Sequence, residues 1–410
     1  MNLEYFIAKR LVKDKAYKSN VSSPIIKIAI AAIALGIIMM IVAVATSIGL
    51  QKKIREKVSA FNGHVIISNF DNNQSQANIV PISTKQDFYP HFNSVSGIKH
   101  IQAVANKTGL IRTEETVEGI VFKGVGEDYD WSAVKEYLVQ GTLPKITAKF
   151  TDDIVISQYL ANRLNLKLND ICRTYFIKEG GKGYNLRSFK IVGIFNSGFQ
   201  EFDANYIIGD IKHVQKINKW GSDEVGAFEV FIDDFDQIEQ KGKEIYKAIP
   251  SNYDSETIAE KYYSMFEWLK LFDFNTIVIL IVMITVATIN MMVALLVLIL
   301  ERTQMIGILK ALGATNWSIR KIFLYNAAHL IIKGLLWGNA IALTLLMLQK
   351  YFKIISLNPE SYYVRVAPVD INFLYIGLLN LGTIVICLLV LLIPSYMITK
   401  ISPVKAIKFD

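Results

Sequence analysis

Four long apolar stretches limit what this chain can fold into more than any other feature: Pro24–Ile48, Thr276–Leu300, Phe323–Leu348 and Ile371–Tyr396. Each exceeds the ~20 helical residues needed to cross a bilayer core. Lipid offers no partner for backbone N–H and C=O groups, so each stretch is predicted to be a spanning helix. A composition of 52% hydrophobic and 20% charged residues suits that plan. The first stretch is too long for a signal peptide. Ala43, Ala45 and Ser47 only imitate a cleavage site, so it is expected to stay attached.

The spans divide the chain. An interfacial helix is expected over residues 1–23, span one at 24–50, an outer domain with a stalk at 51–272, and span two at 273–300. An elbow at 301–322, span three at 323–349, a short outer segment at 350–370, span four at 371–397 and a tail at 398–410 complete the plan. Positive charge sets the orientation. Lys9, Arg10, Lys13, Lys15 and Lys18 precede span one; Arg302, Lys310, Arg320 and Lys321 surround the elbow; Lys400, Lys405 and Lys408 close the tail. These regions are placed in the cytoplasm, with both termini inside. Lys52, Lys53, Arg55 and Lys57 follow span one, but they open a long domain, and long domains cross largely regardless of charge. The net charge of +8 is therefore assigned to topology and lipid attraction, and not to nucleic-acid binding.

The segment from Gln51 to Phe272 is long enough for one or two subdomains. His64–Ser68, Gly119–Val125, Ile171–Ile177, Ser188–Ile194 and Ala227–Ile232 read as strands. Helices are expected at Ser157–Leu164, Ile211–Asn218 and Phe235–Ala248, the last two with Asp210 and Asp234 as N-caps. Strands and helices mix without strict βαβ alternation. The expected fold class is an α-helical membrane protein with four transmembrane helices plus a large α+β domain between the first two. Asp71–Ser83, rich in Asn, Gln and Ser, reads as a loop. Glu256–Phe272 holds no Pro or Gly and predicts an unbroken helical stalk, with Tyr262, Tyr263, Phe266, Trp268 and Phe272 at the headgroup layer. Leu3, Phe6, Ile7, Ala8 and Leu11 form the apolar face of an N-terminal surface helix.

Catalytic motifs are missing from this sequence: there is no GxxxxGK[ST], HExxH, GxSxG or CxxC run. Gly180, Gly181, Lys182 and Gly183 form a Gly-rich turn in an expected hairpin, with no Ser or Thr after the Lys. The His residues are scattered, with His91 and His100 in an expected loop region, so no metal site is expected. Cys172 and Cys387 fall in the outer domain and span four and are not expected to pair. The span middles carry no acidic residue, which argues against ion coupling. Lys333 lies near the inner end of span three, where it can snorkel.

The elbow itself, Glu301–Thr315, reads ERTQMIGILKALGAT. Span two is expected to continue as a helix beyond the membrane and to stop at Gly313, which takes positive φ without a Cβ clash. A new helix would start at Trp317 behind a Thr315 or Asn316 cap. Met305, Ile308, Leu309 and Leu312 make an apolar stripe, and Gly307, Ala311 and Ala314 a small-residue face open to close approach. Period and charge alone fit a plain basic loop as well as a docking element.

The run resembles the coupling helix of MacB/FtsX/LolC-type ABC permeases, with Gln304 where that pattern commonly carries Glu. LLIPSYMITKISPVKAIKF at Leu391–Phe409 is similar to the family's last span, which Pro394 should kink or end. FIAKRL (Phe6–Leu11), NGHVIIS (Asn62–Ser68), GTLP (Gly141–Pro144), FKIVGIFNSGFQEFD (Phe189–Asp203) and SYYVRVAPVDI (Ser361–Ile371) resemble, in this order, the lipoprotein-releasing LolC/LolE branch.

That resemblance implies a transport permease, not an enzyme, with a periplasmic outer domain in the cell inner membrane. Its partners would be a cytoplasmic ABC ATPase dimer, which alone carries ATP and Mg, and a second permease, either another copy or a paralogue. A lipoprotein cargo would pass to a periplasmic lipoprotein carrier. ATPase coupling would fall to Glu301, Arg302, Gln304, Gly307, Lys310, Ala311, Gly313 and Ala314. Met39, Met40, Ala43 and Met283 would line the substrate cavity, where flexible thioethers suit varied acyl chains. Gly180, Gly181, Lys182, Gly183 and Tyr184, within the 178–187 loop, would bind the carrier. A MacB-like efflux permease or an FtsX-like mechanotransmission permease is the alternative within the superfamily, and a receptor-like anchor without an ATPase is the alternative outside it.

Overall fold

The computed structural model describes residues 3–13, 22–74, 79–114, 116–178 and 183–402. Lys15, Lys18, Lys405, Lys408, the Pro403–Ala406 run, residues 75–78 of the expected Asn-rich loop, and Gly180, Gly181 and Lys182 lie outside the described residues. The chain forms two compact units. One comprises Met1–Leu50, Leu269–Ile355 and Val366–Asp410; the other comprises Gln51–Trp268 and Ser356–Arg365.

In chain order the elements begin with α1 (Leu3–Lys13), α2 (Ser22–Asn62), β1 (Val65–Asn69), β2 (Ile82–Ser83), β3 (Ile98–Arg112) and β4 (Val117–Val125). There follow α3 (Ser132–Glu136), β5 (Leu138–Gly141), β6 (Asp153–Ser157), α4 (Gln158–Arg163), β7 (Ile171–Ile177), β8 (Tyr184–Phe195), α5 (Gln200–Asn205), β9 (Tyr206–Asp210) and α6 (Lys212–Asn218). Next come β10 (Glu224–Val225), β11 (Ala227–Ile232), α7 (Ile238–Ala248), β12 (Tyr253–Thr257), α8 (Ile258–Lys261), α9 (Tyr263–Glu301) and α10 (Thr303–Ala311). The last are α11 (Asn316–Phe352), α12 (Pro359–Tyr362), α13 (Phe373–Ser395) and α14 (Met397–Lys400).

In the first unit, α2, α9, α11 and the α13–α14 segment contain the 4 stretches long and apolar enough to cross a membrane. Their shared core includes Ile33, Ile37, Met291, Phe323, Leu335 and Leu391. A close helix approach uses GLLWG at Gly334–Gly338 of α11. A Cβ at Gly338 would stand 1.9 Å from Ile37 Cγ2 and 2.8 Å from the Ala34 carbonyl oxygen of α2; one at Gly334 would stand 2.7 Å from Ile33 Cγ2. Small residues four apart let two helices pack backbone to backbone where lipid supplies no hydrophobic drive between them. Asn339 and Asn380 satisfy each other's amides across α11 and α13 at 2.7 and 3.0 Å, so neither polar group meets lipid unpaired. Pro394 lies one residue before the end of α13.

The second unit carries one large mixed sheet. Strand order is β12-β1-β11-β3-β4-β9-β6-β8-β5, and β7 pairs with both β3 and β8. These pairings close β3, β4, β9, β6, β8 and β7 into a ring. Pairs β4–β9 and β6–β8 are parallel and the others antiparallel. The core holds Phe122, Phe176, Phe189, Ile154 and Ile207, all fully buried. An α+β domain between the first and second spans is what the sequence predicts.

Local expectations differ at several places. Strands β2, β3, β5, β6, β9, β10 and β12 lie outside the expected set; Ile82–Ser83 is strand at the end of the expected Asp71–Ser83 loop, and His100 lies in β3, not in a loop. The expected unbroken stalk does not exist. Glu256 and Thr257 belong to β12, and Thr257 and Glu260 form a capping box that starts the short α8. The helix then stops at Tyr262 (φ −109°, ψ 40°). Tyr262 accepts a 3.3 Å bond from Asn62 Nδ2 on its hydroxyl and packs 6.2 Å from the Phe202 ring, so tertiary contacts override local helix preference. Asp234 caps a short 3-10 turn ahead of α7. Asp210 accepts from the Lys212 N–H at 3.0 Å, but the N-cap position of α6 is Ile211.

Candidate functional site: the elbow after span two

The elbow is built from short-range rules. Helix α9 ends at Glu301, Arg302 leaves helical geometry (φ −103°, ψ 18°), and α10 begins. The predicted continuous helix is thus interrupted one residue after the span. Helix α10 closes in a Schellman turn: Ala314 N–H donates to Leu309 O and Gly313 N–H to Lys310 O, both at 3.0 Å. Gly313 adopts φ +90°, the expected left-handed stop. Thr315 caps α11, its hydroxyl accepting from Ser318 N–H at 3.2 Å, and α11 starts at Asn316 rather than Trp317.

The predicted stripes split between two faces. Ile306 and Gly307 are buried, while Met305, Leu309 and Ala314 are partly buried. Glu301, Gln304, Ala311 and Gly313 are exposed, Arg302 is half-buried, and Ile308, Leu312 and Trp317 are 47%, 79% and 52% exposed. Three large apolar side chains are thus exposed at the turn between spans two and three.

Lys310 points inward. Its Nζ donates to the carbonyls of Ile398 (2.7 Å), Ile401 (2.8 Å) and Thr399 (3.4 Å). Burial lowers its pKa from the ordinary lysine value. Arg320 Nε donates to Ser395 O at 3.3 Å, and its guanidinium lies over the Tyr396 ring, 5.1 Å from the centroid. From the other end of the chain, Glu4 accepts from Ser318 Oγ at 2.7 Å and the Tyr5 ring meets Tyr325 edge-on. No sequence signal pairs Lys310 with Ile398, 88 residues away.

The other expected site residues are dispersed. Met39 is 43% exposed, Met40 is fully buried, and Ala43 and Met283 are half-buried. Gly183 (φ +94°) and the exposed Tyr184 lead into β8, with Tyr184 edge-on to Tyr175. The second unit holds a buried network that no local sequence signal announces. Asp203 accepts from Ser197 Oγ (2.7 Å), Ser197 N–H (3.1 Å) and Gly198 N–H (3.0 Å). Lys57 Nζ donates to Ser197 O and to Tyr363 O (2.9 Å). Burial pulls the Lys57 pKa down to about 8, against the attraction of Asp203. Lys123 Nζ donates to Phe61 O, near the end of α2, and pairs with Glu229. Cys172 and Cys387 are free and buried.

Comparison with known proteins identifies the architecture. The MacB-like periplasmic core domain matches residues 28–247, and the FtsX-like permease C-terminal domain matches residues 277–403. Similar proteins include the lipoprotein-releasing system transmembrane protein LolC of Buchnera aphidicola subsp. Schizaphis graminum, 20% identical over 94% of this chain and 94% of that protein. LolC of Neisseria meningitidis serogroup B is 22% identical over 100% of both chains. The protein LolE of Haemophilus influenzae is 20% identical over 99% of both. Four spans, a MacB-like domain between the first two, and an elbow without catalytic groups define a multi-pass permease of the ABC-transporter type. Among the described residues no cluster of His, Cys, Asp or Glu could hold a metal. Within that superfamily the chain belongs to the LolC/LolE family.

Proposed function

We propose that this chain is the permease subunit of a transporter that uses a partner ATPase to extract lipoproteins from the inner membrane toward a periplasmic carrier and the outer membrane. The observation that carries the reading is the exposed apolar patch Ile308, Leu312 and Trp317 on an elbow between two spans. A chain with no phosphate loop needs an outside source of work, and this patch suits the dock for it. Burial of acyl chains stabilises an anchor by ~0.8 kcal/mol per CH₂, so a multiply acylated protein does not leave the bilayer unaided.

In this reading both termini and the elbow are cytoplasmic. Gln304, Ala311 and Gly313 join the docking patch, with Glu301 and Arg302 at its edge, and Gly307, Lys310 and Ala314 shape the elbow from within. Met39 and Ala43 lie on one side of span one with Ile28 and Leu35, facing a second permease copy or paralogue across the cargo cavity. Met283 of span two borders it, and Met40 supports it from the core. Of the expected 178–187 loop, Tyr184–Arg187 belong to β8 instead, and Gly183 and Tyr184 at the start of that strand are the proposed carrier contact. Affinity purification of the tagged chain from its native membrane tests the energy source. An ABC ATPase should co-purify stoichiometrically and be lost in Leu312→Asp; a chain that purifies without any ATPase contradicts the reading.

A further inference from the structure

We infer that Lys310 and Arg320 are positioning residues that clasp the elbow to the end of span four, so that a stroke received at the elbow moves α13 together with α9 and α11. This rests on the proposed ATPase docking. The need for such a clasp follows from connectivity. The elbow joins α9 and α11 directly, whereas the covalent route from α11 to α13 runs through the whole connection between Phe352 and Phe373, and the two helices otherwise meet through side-chain packing such as the Asn339–Asn380 pair. Force arriving at the elbow therefore has a covalent path to spans two and three and none of comparable length to span four.

The end of span four is suited to being held. The last carbonyls of a helix have no intrahelical donor and carry the negative end of its dipole. Here α13 ends at Ser395, one residue past Pro394, and α14 ends at Lys400. The Lys310 ammonium fills this acceptor cluster, bonding the carbonyls of Ile398, Thr399 and Ile401. Arg320 takes the Ser395 carbonyl and the face of Tyr396. The two cations come from different helices, α10 and α11, and hold one short segment between them. An ammonium has three N–H donors, and three carbonyl oxygens lie within hydrogen-bond distance of Lys310 Nζ, which favours an internal attachment over contact with a docking partner. Its placement in the coupling motif is thus explained by an internal attachment.

The test uses the whole complex in nanodiscs, with Cys172 and Cys387 replaced by Ala and single labels at Leu381 on α13 or Ile281 on α9. Both positions are well exposed, at 59% and 60%. In the wild type both labels should respond to ATP. In Lys310→Met the α13 response should be lost while the α9 response and ATPase binding persist; Lys310→Arg should restore it, and Arg320→Gln should weaken it. A normal α13 response in Lys310→Met overturns the inference, as does loss of ATPase binding in Lys310→Met, which would make Lys310 a docking residue. A second measurement needs no ATPase. Amide exchange across Ser395–Ser402 in the purified chain should rise about tenfold in Lys310→Met and in Arg320→Gln, the scale of a lost charge-assisted bond. Unchanged exchange in both refutes the clasp. A wild type that binds no ATPase but shows the exchange effect would instead refute the docking reading while leaving the clasp itself in place.

Discussion

Replacing Gly338 with Ala adds one methyl group where α11 meets α2. The new Cβ would stand 1.9 Å from Ile37 Cγ2, 2.8 Å from the Ala34 carbonyl oxygen and 3.1 Å from Ala34 Cα. Ile37 is fully buried, so its side chain has little room to turn, and the Ala34 atoms are backbone. The helices must separate by a few tenths of an ångström. Overpacking of this kind costs ~1–3 kcal/mol, against a helix-propensity gain of ~0.5–1 kcal/mol for Gly→Ala. The net expectation is a loss of ~1–2 kcal/mol by the same estimates. Gly382 is the internal control, because a Cβ there meets nothing within 4 Å among the described residues. Gly382→Ala should be neutral or slightly stabilising. The assay is SDS-driven unfolding of the purified chain in mixed micelles, followed by tryptophan fluorescence. If Gly338→Ala proves as stable as Gly382→Ala, the close packing of spans one and three is wrong.

Three other outcomes follow from particular residues. Gly313 holds φ +90° in open space, so Gly313→Val should loosen the elbow by ~1–2 kcal/mol through backbone strain alone; amide exchange over Lys310–Ala314 should rank Gly, Asn, Ala, Val from slowest to fastest. Ile308→Asp and Leu312→Asp should weaken ATPase capture at least about tenfold, the loss of one apolar anchor, without lowering the melting temperature, and a matching fall in melting temperature would make these side chains structural. Lys57, with its pKa pulled from 10.5 to about 8, binds its proton more weakly in the folded chain than in the unfolded one. Folding stability should therefore rise as pH increases from about 8 to about 10.5. The melting-temperature difference between wild type and Lys57→Met should grow over that window, and a flat difference contradicts the burial of a strained cation.

What was legible in the sequence was legible for local reasons. The spans announce themselves because every backbone group in lipid must be satisfied within its own helix. Gly313 and Thr315 were readable as stop and start because capping is decided within a few residues. Strand β3 was missed because its run through Asn106, Lys107 and Thr108 breaks the apolar alternation, and its pairing with β4, β11 and β7 comes from the fold. The stalk failed for the opposite reason: Glu256–Phe272 has helix-compatible residues, but β12 is claimed by β1 and Tyr262 by Asn62. Lys310 was legible as part of a motif, yet its partners lie in a segment that only the packing of span four brings to it. Nothing local to GLLWG marks it as a helix contact, and its role comes only with Ile33, Ala34 and Ile37 across from it.

The most direct test of the central claim is depletion of this chain in its native cell, followed by membrane fractionation and quantification of lipid-anchored proteins. Outer-membrane lipoproteins should accumulate in the inner membrane, and re-expression of wild type, but not of Leu312→Asp, should restore their distribution. Unaltered lipoprotein sorting after full depletion would contradict a lipoprotein-releasing permease and favour efflux or transmembrane signalling by the same fold.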